Sequence, residues 1–463
     1  MCLSKTLKER NFFIIEFESV KRLGLDHIGI DTQKSFETYD QDTNNHIIII
    51  HLLKSKNIVC PLCGSYTLKL KGSKSQFLKY SSVGENNITL KLYRRIYRCK
   101  DCGHYSKETN PFGSNQRKTT IQTDYKILEE LKSFETTYTK VANKFNVSTT
   151  YVINLFDKKV DMKRLPLPEV MCVDEVYSKM ISYHKYCFII YSPFDRKIID
   201  VLDSRRYESL DEYFSHISIT ERDKVKYFSI DLYDAYRLIA KKYFPKAKLC
   251  ADSFHVKKNL SNFFHQIRIR VMKKYAYLKL ENDNYYWLFK RYWKLLTKDR
   301  TKMSHERFKV NQAGQYMSQF EIIDYMLSIS KELKLAYELL HEYRNFNETA
   351  TVENAEEWLN ELIQKFQNCL IEEYIPAWKL LSNWRLEIIN SFNKINGRRI
   401  SNGPMERVNK DIKTIFRMAF GSTNFFRMRN RIMYCLNDNA PILYTRKKYT
   451  NKRTFKKRGN YRK

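Results

Sequence analysis

Acidic residues are in short supply in this chain: 51 Asp and Glu stand against 83 Lys and Arg, a formal net charge of +32. That imbalance attracts a polyanion at long range, and nucleic acid is the first choice. A membrane surface is the rival partner, but no apolar run reaches the roughly 18 residues needed to span a bilayer. The opening "MCLSKTLKERNFF" lacks the apolar stretch of a signal peptide. No internal repeat is evident. The expectation is a soluble cytoplasmic protein with no membrane partner. Hydrophobic residues make up 43% of the 463, which excludes a disordered chain and allows two or three domains with real cores. In a reducing compartment the ten cysteines stay thiols, and clustered ones point to metal before disulfide.

Four cysteines are clustered. "CPLCGS" supplies Cys60 and Cys63, and "YRCKDCGHY" supplies Cys99 and Cys102. Two Cys-x-x-Cys knuckles match the halves of a tetrahedral zinc site closed by four thiolates. Gly64 and Gly103 follow the second cysteine of each knuckle, where a tight turn helps backbone amides face the sulfurs. His104 is adjacent and redundant once four thiolates are present. Between the knuckles, "ITLKLYRRIYR" alternates like a strand. The pattern predicts a zinc ribbon with a long insertion, with structural Zn2+ as its metal.

Residues 137–160, "TYTKVANKFNVSTTYVINLFDKKV", read as a short helix, a turn and a second helix capped by Ser148. This is a helix-turn-helix pattern, whose second helix can enter the major groove. It offers Thr149, Thr150, Tyr151 and Asn154 to DNA. Plain helical packing is the alternative.

Beyond "LPLPEV" the texture changes. Apolar strand-like runs end in acids: Asp174 follows "VMCV", Asp231 follows "KYFSI" and Asp252 follows "KLCA". Strands and helices alternate through residue 255, as in a mixed sheet covered by helices, where sites gather at strand ends. Helical periodicity then dominates, and all five tryptophans (Trp287, Trp293, Trp358, Trp378 and Trp384) fall in this stretch, most of them expected in its core. After it, "SNGPMERVNKDIKTIFRMAFG" opens on a turn and continues as a helix whose Glu406, Asn409 and Lys413 share a face. The terminal "TRKKYTNKRTFKKRGNYRK" is a basic tail suited to a polyanion.

Four segments, in this order, carry a resemblance: the two knuckles, "VDEVYSKM", "SIDLYDAY…FPKAKLCADSFHVKKNL" and the Glu406 helix. The chain resembles bacterial insertion-sequence transposases of the ISL-three family, in the DDE superfamily. The resemblance covers most of the chain. It implies an α/β multidomain protein: an N-terminal segment (1–50), a zinc-ribbon DNA-binding head (51–110) and a helix-turn-helix (115–163). An RNase H-like catalytic core (168–255 and 399–440) follows, interrupted by an all-α insertion (256–398), with the basic tail at 441–463. It further implies DNA strand cleavage and transfer at element ends, double-stranded end and target DNA as partners, a homo-oligomer on DNA, and a bacterial, nucleoid-associated location.

The chemistry suits such a reaction. Two divalent ions about 3.5–4 Å apart can activate a nucleophile and stabilise a leaving oxygen, and hard Mg2+ or Mn2+ prefers carboxylates. The family pattern makes Asp174, Asp231 and Glu406 the catalytic acids. Glu175 is aimed at the opposite face by strand alternation. The Asp-x-x-His pair Asp252 and His255 matches an accessory motif of related transposases; it supports the site or touches substrate, with a direct metal role and ordinary packing as alternatives. Lys257, Lys258, Lys410 and Lys413 are placed on DNA phosphates. The rival functions are a DNA-binding regulator with unused catalysis and a general RNase H-type nuclease. Three retained acids oppose the first, and two recognition modules oppose the second.

Overall fold

The computed structural model describes residues 12–14, 20–21, 23–25, 28–40, 45–55, 58–83, 86–113, 118–178, 185–277, 283–419 and 423–437. The basic tail and most of the first twenty residues lie outside these. The chain forms two compact units, Met1–Met162 with Arg417–Ala419 and Asn430–Lys463, and Lys163–Phe416 with Phe420–Arg429. No helix among the described residues is long and apolar enough to cross a membrane.

The first unit is built on a six-stranded sheet: β1 (Phe12–Ile14), β2 (Phe36–Asp40), β3 (Asn45–His51), β4 (Leu68–Val83), β5 (Asn86–Cys99) and β6 (Tyr105–Lys107). β4 and β5 form a long antiparallel ribbon from Leu68↔Cys99 to Val83↔Asn86. β3 pairs parallel to β5, so the boundary expected at residue 50 falls inside a strand, and the N-terminal segment shares the ribbon's sheet. One core joins them: Ile28, Ile48 and Ile50 pack with Leu78, Leu90 and Leu92.

Three helices follow, α1 (Ile121–Glu130), α2 (Tyr138–Lys144) and α3 (Thr149–Lys159). Thr137 caps α2, and the Ser148 hydroxyl caps α3 by accepting the Tyr151 N–H. Val141, Ala142 and Phe145 bury with Val152, Leu155 and Phe156. Asn146 takes a positive φ of 49° in the turn between α2 and α3.

The second unit centres on a five-stranded sheet in the order β11-β10-β7-β8-β9. Its strands are β7 (Val170–Tyr177), β8 (Tyr186–Ser192), β9 (Lys197–Leu202), β10 (Tyr227–Ile230) and β11 (Lys248–Ala251). β7 runs antiparallel to β8 and parallel to β10, which is parallel to β11. The crossovers contain α4 (Tyr207–Ser215), α5 (Ile219–Arg222) and α6 (Asp234–Tyr243). Phe214, Tyr236 and Phe244 from these crossovers pack with Phe188, Phe228 and Ile230 of the strands.

A helical region follows, α7 (Ser253–Tyr277), α8 (Asp283–Tyr292), α9 (Gln319–Ile329), α10 (Lys331–Thr349), α11 (Ala355–Asn368), α12 (Ile375–Asn383) and α13 (Arg385–Asn390). It is not entirely helical, contrary to expectation: β12 (Phe308–Val310) and β13 (Gln315–Met317) form a small hairpin turned at Gly314, φ +69°. Each strand has three residues, too few for a period of two to register. Of the tryptophans, only Trp384 is deeply buried; Trp358 and Trp378 lie half-buried against the core, and Trp287 is 48% exposed under the Lys290 ammonium. The chain then returns through β14 (Lys394–Ile395) and β15 (Arg398–Arg399) to α14 (Gly403–Met418), and α15 (Phe425–Leu436) follows.

Candidate active site

β7, β10 and β11 run parallel, so their C-terminal ends lie at the same edge of the sheet. Asp174 sits on β7, Asp231 directly after β10 and Asp252 directly after β11. The Asp252 amide donates to the Ile230 carbonyl at 2.8 Å, tying the last two strand ends together. The helix α14 supplies the fourth wall. Its Asn409 amide donates to Asp174 Oδ2 at 2.7 Å. Before it, the Asn402 side chain donates to the Val173 carbonyl at 3.0 Å, and the Asn402 N–H donates to the Asp252 carboxylate. Glu406, one helical turn before Asn409, is exposed and close enough to Asp252 for its charge to raise that acid's pKa.

The electrostatics are those of crowded, under-compensated acids. Burial, then the charges of Glu175 and Asp174, push Asp231 up to about 7 against the opposing pull of Arg205. Asp231 Oδ1 is buried without a hydrogen-bond partner. Burial also raises Asp174 and Asp252, although Asp174 accepts from Asn409 and from the Glu175 N–H. An orphaned carboxylate oxygen among acids is a place for a cation. Carboxylates gathered in this way suit a hard divalent cation, which takes oxygen ligands.

Asp252 is 4% exposed and does structural duty. It caps α7, accepting the Phe254 N–H at 3.3 Å, and its Oδ2 lies 3.8 Å from His255 Nε2. Glu175 faces away from Asp174, as alternation predicts: it pairs with Arg205 and accepts the Tyr236 hydroxyl at 2.9 Å. Its charge nonetheless reaches Asp231, an effect that the residue-by-residue pattern does not reveal. Lys410 and Lys413 are exposed on α14; on α7, Lys258 is exposed and Lys257 half-buried. Asn402 and Asn409 were not singled out as site residues by the sequence; the signal for Asn409 was its place three residues after Glu406.

The raised Asp231 pKa makes the metal-free protein pH-sensitive. The unfolded chain loses this proton near 3.8 and the folded chain holds it to about 7. Stability from this group is fully present below pH 4 and is lost as pH rises to 7. At about 1.4 kcal/mol per unit the loss approaches about 4 kcal/mol. Without divalent metal, Asp231→Asn should thus melt higher than wild type at pH 8 and almost equally near pH 4.5. An equal difference at both pH values would contradict this assignment of the proton.

In the first unit, the Sγ atoms of Cys60, Cys63, Cys99 and Cys102 all lie within 4.8 Å of one another. Cys60 to Cys102 and Cys63 to Cys99 are both 3.6 Å, close to the roughly 3.8 Å edge of a tetrahedron with 2.3 Å Zn–S bonds. The knuckles are matched turns: Gly64 N–H donates to Cys60 O and Gly103 N–H to Cys99 O, with φ of +73° and +71°. Backbone amides hold two thiols below their ordinary range, Cys63 N–H acting on Cys60 and Cys102 N–H on Cys99. The four thiols fit zinc.

In the helix pair, Thr150 and Asn154 are exposed on one face of α3 and Thr149 is half-buried. Tyr151 is turned inward instead: its hydroxyl donates to Asp124 Oδ1 at 2.6 Å and also meets Thr119. The bonds that fix α3 against α1 thus occupy a group expected to face outward.

Sequence comparison supplies the context. A family profile described as transposase, of the ISL3 DDE type, matches residues 171–432. A second, described as the zinc-finger of transposase IS204/IS1001/IS1096/IS1165, matches residues 56–102. No curated protein matches the chain. The first match covers more than half of the 463 residues and holds the whole acid cluster; the second holds all four thiols. The chain belongs to the ISL3 family of DDE transposases.

Proposed function

We propose that this transposase cuts and joins DNA strands at the ends of its own mobile element, using Asp174, Asp231 and Glu406. The observation that carries the reading is the convergence of two strand-end acids and a helix-borne one around buried Asp252. The strand order, with β7 antiparallel to β8 and parallel to β10, supports an RNase H-like core. The three acids would hold Mg2+ or Mn2+, which when bound would supply positive charge at the reacting phosphodiester. Asn409 orients Asp174; Asp252 and His255 fix the start of α7 beside Asp231. Thr149, Thr150 and Asn154 of the helix-turn-helix, with the zinc head, read the terminal repeats. Lys257, Lys258, Lys410 and Lys413 neutralise DNA phosphates. Two ends must be held together, so a dimer or larger assembly acts on DNA in the bacterial cytoplasm, at the nucleoid.

The test is cleavage of DNA carrying the inverted repeats that flank the gene. Cuts at the repeat boundary should appear with Mg2+ and vanish with a chelator. Binding without cleavage in any divalent metal would reduce the protein to a regulator. Within this assay, His255→Ala and Asp252→Asn should each slow cleavage about 10–100-fold, the usual cost of losing support around a metal site. The double variant should be little worse than either single one, because the two share one interaction. If Asp252→Asn were dead and Asp231→Asn active, Asp252 would replace Asp231 among the catalytic acids.

A further inference from the structure

Asp174 turns toward α14, but Glu175, the next residue of β7, points to the opposite face of the sheet and has a cation of its own. Arg205 Nη1 donates to Glu175 Oε1, and the Tyr236 hydroxyl donates to Oε2 at 2.9 Å. The topology brings Arg205 there. β8 is antiparallel to β7, and β9 is antiparallel to β8. β9 therefore ends at the same edge of the sheet as β7, β10 and β11, and Arg205 follows shortly after its last residue, Leu202.

Two rings at that edge hold the guanidinium. Its central carbon lies 4.3 Å from the Tyr186 ring centroid and 5.1 Å from that of Tyr233. Tyr186 opens β8 opposite Tyr177, and Tyr233 comes just after Asp231. A cation over an aromatic face is attracted to it, more strongly when partly desolvated, and the Arg205 side chain is 31% exposed. Glu175 engages one nitrogen. Among the described residues Nε and Nη2 have no hydrogen-bond partner, and neither is buried. One edge of the fork is thus spent on Glu175, and the other reaches solvent from a fixed position.

That edge lies by the acid cluster. Burial, Glu175 and Asp174 raise the Asp231 pKa and Arg205 opposes them, which puts the guanidinium within electrostatic reach of that acid. The cations so far assigned to phosphates, Lys257, Lys258, Lys410 and Lys413, stand on α7 and α14. They leave the Glu175 face of the sheet without a phosphate partner. A planar guanidinium with a free edge matches two phosphate oxygens, and one held in place beforehand loses little freedom on binding. We propose that Arg205 bridges Glu175 and a DNA phosphate close to the cleaved bond, gripping the element end from the side of the acid cluster away from α14. Glu175, Tyr186 and Tyr233 are positioning residues that aim the fork. The proposal rests on the acid cluster being the cleavage site.

The test uses the full-length protein and duplexes carrying the element end. Each duplex has one methylphosphonate, a neutral replacement for a phosphate, at a different position around the cut. On unmodified DNA with Mg2+, Arg205→Gln should slow single-turnover cleavage at least about 10-fold, the lower end of what a charge-assisted hydrogen bond contributes. At one position near the cut, the methylphosphonate should slow the wild type by a similar factor. It should slow Arg205→Gln less than about 2-fold, because the two changes remove one interaction. A role confined to holding Glu175 would leave every phosphate effect the same in variant and wild type, and that result would overturn the proposal. So would a wild-type rate for Arg205→Gln on unmodified DNA. Each ratio is taken within one protein preparation, so partial unfolding of the variant cancels. Should Arg205→Gln not fold at all, Arg205→Lys keeps the charge without the fork, and a full wild-type response at that phosphate would count against the bridge. Absence of wild-type cleavage in any divalent metal would instead sink the active-site reading. The same comparison, read as gel-shift affinity, would still decide whether Arg205 meets that phosphate.

Discussion

Asp174→Asn, Asp231→Asn and Glu406→Gln should each remove strand cleavage while leaving binding of element ends nearly intact. Each substitution keeps shape and deletes one charge proposed to hold metal. Stabilisation of transition-state charge by metal amounts to several kcal/mol, so the loss should reach about 10³-fold or more. The three variants are not equivalent controls. Asp174 accepts two hydrogen bonds, from the Asn409 amide at 2.7 Å and from the Glu175 N–H at 2.8 Å, on its two oxygens. An asparagine has one oxygen to offer, so Asp174→Asn also gives up a bond worth about 1 kcal/mol. Asp231 has an oxygen with no partner, so its amide variant loses charge and little else. Asp231→Asn is thus the cleaner measure of chemistry. Gel-shift binding with single-turnover cleavage would separate the two effects, and a wild-type rate in any of the three would strike that residue from the catalytic set.

The second large effect concerns the zinc head. Cys60→Ser or Cys99→Ser should abolish zinc content and unfold the ribbon's end. In small structural sites, metal binding is folding free energy, on the order of 10–16 kcal/mol for zinc-finger peptides at neutral pH. Cys60 and Cys99 are the buried members of the four, so a serine there also leaves a hydroxyl without its metal in a closed space. End binding should fall sharply, whereas the unit containing the acids, with its own core, should keep its melting transition. Metal analysis that finds no zinc in the wild-type protein would refute the site outright.

How much of this could be read from residues alone depended on distance along the chain. The knuckles were legible because Cys-x-x-Cys-Gly contains its own turn: the glycine φ values and the amides facing the sulfurs are local. The acids at the ends of apolar runs were legible for the same reason. Partnerships across the chain were not. β3 joins β5 through the pairing Asn45↔Asn87, and nothing in "NHIIIIH" announces a partner. Glu175 finds Tyr236 61 residues later, and its effect on Asp231 depends on where two strands end. Tyr151 looked like a groove-facing residue because the α3 pattern alone does not include Asp124 of α1. The short β12–β13 hairpin lacked the length to show a period. Asn409 lay on the same helix face as Glu406, but its bond to Asp174 required the fold.

The bond between Asn409 and Asp174 spans 235 residues, and that separation sets a clock on synthesis. At about 5–20 residues per second, roughly 12–47 s pass between the addition of the first acid and that of its α14 partner. Through that interval the nascent chain has Asp174 and then Asp231, but no Glu406 and no Asn409. A ribosome that stalls, or a message cut short anywhere in the helical region, yields a product with zinc head and strands but with the acid cluster unfinished. Such a fragment has the parts proposed to hold DNA and lacks one of the acids proposed to cut it. Translation itself thus leaves the acid cluster open until α14 has been made.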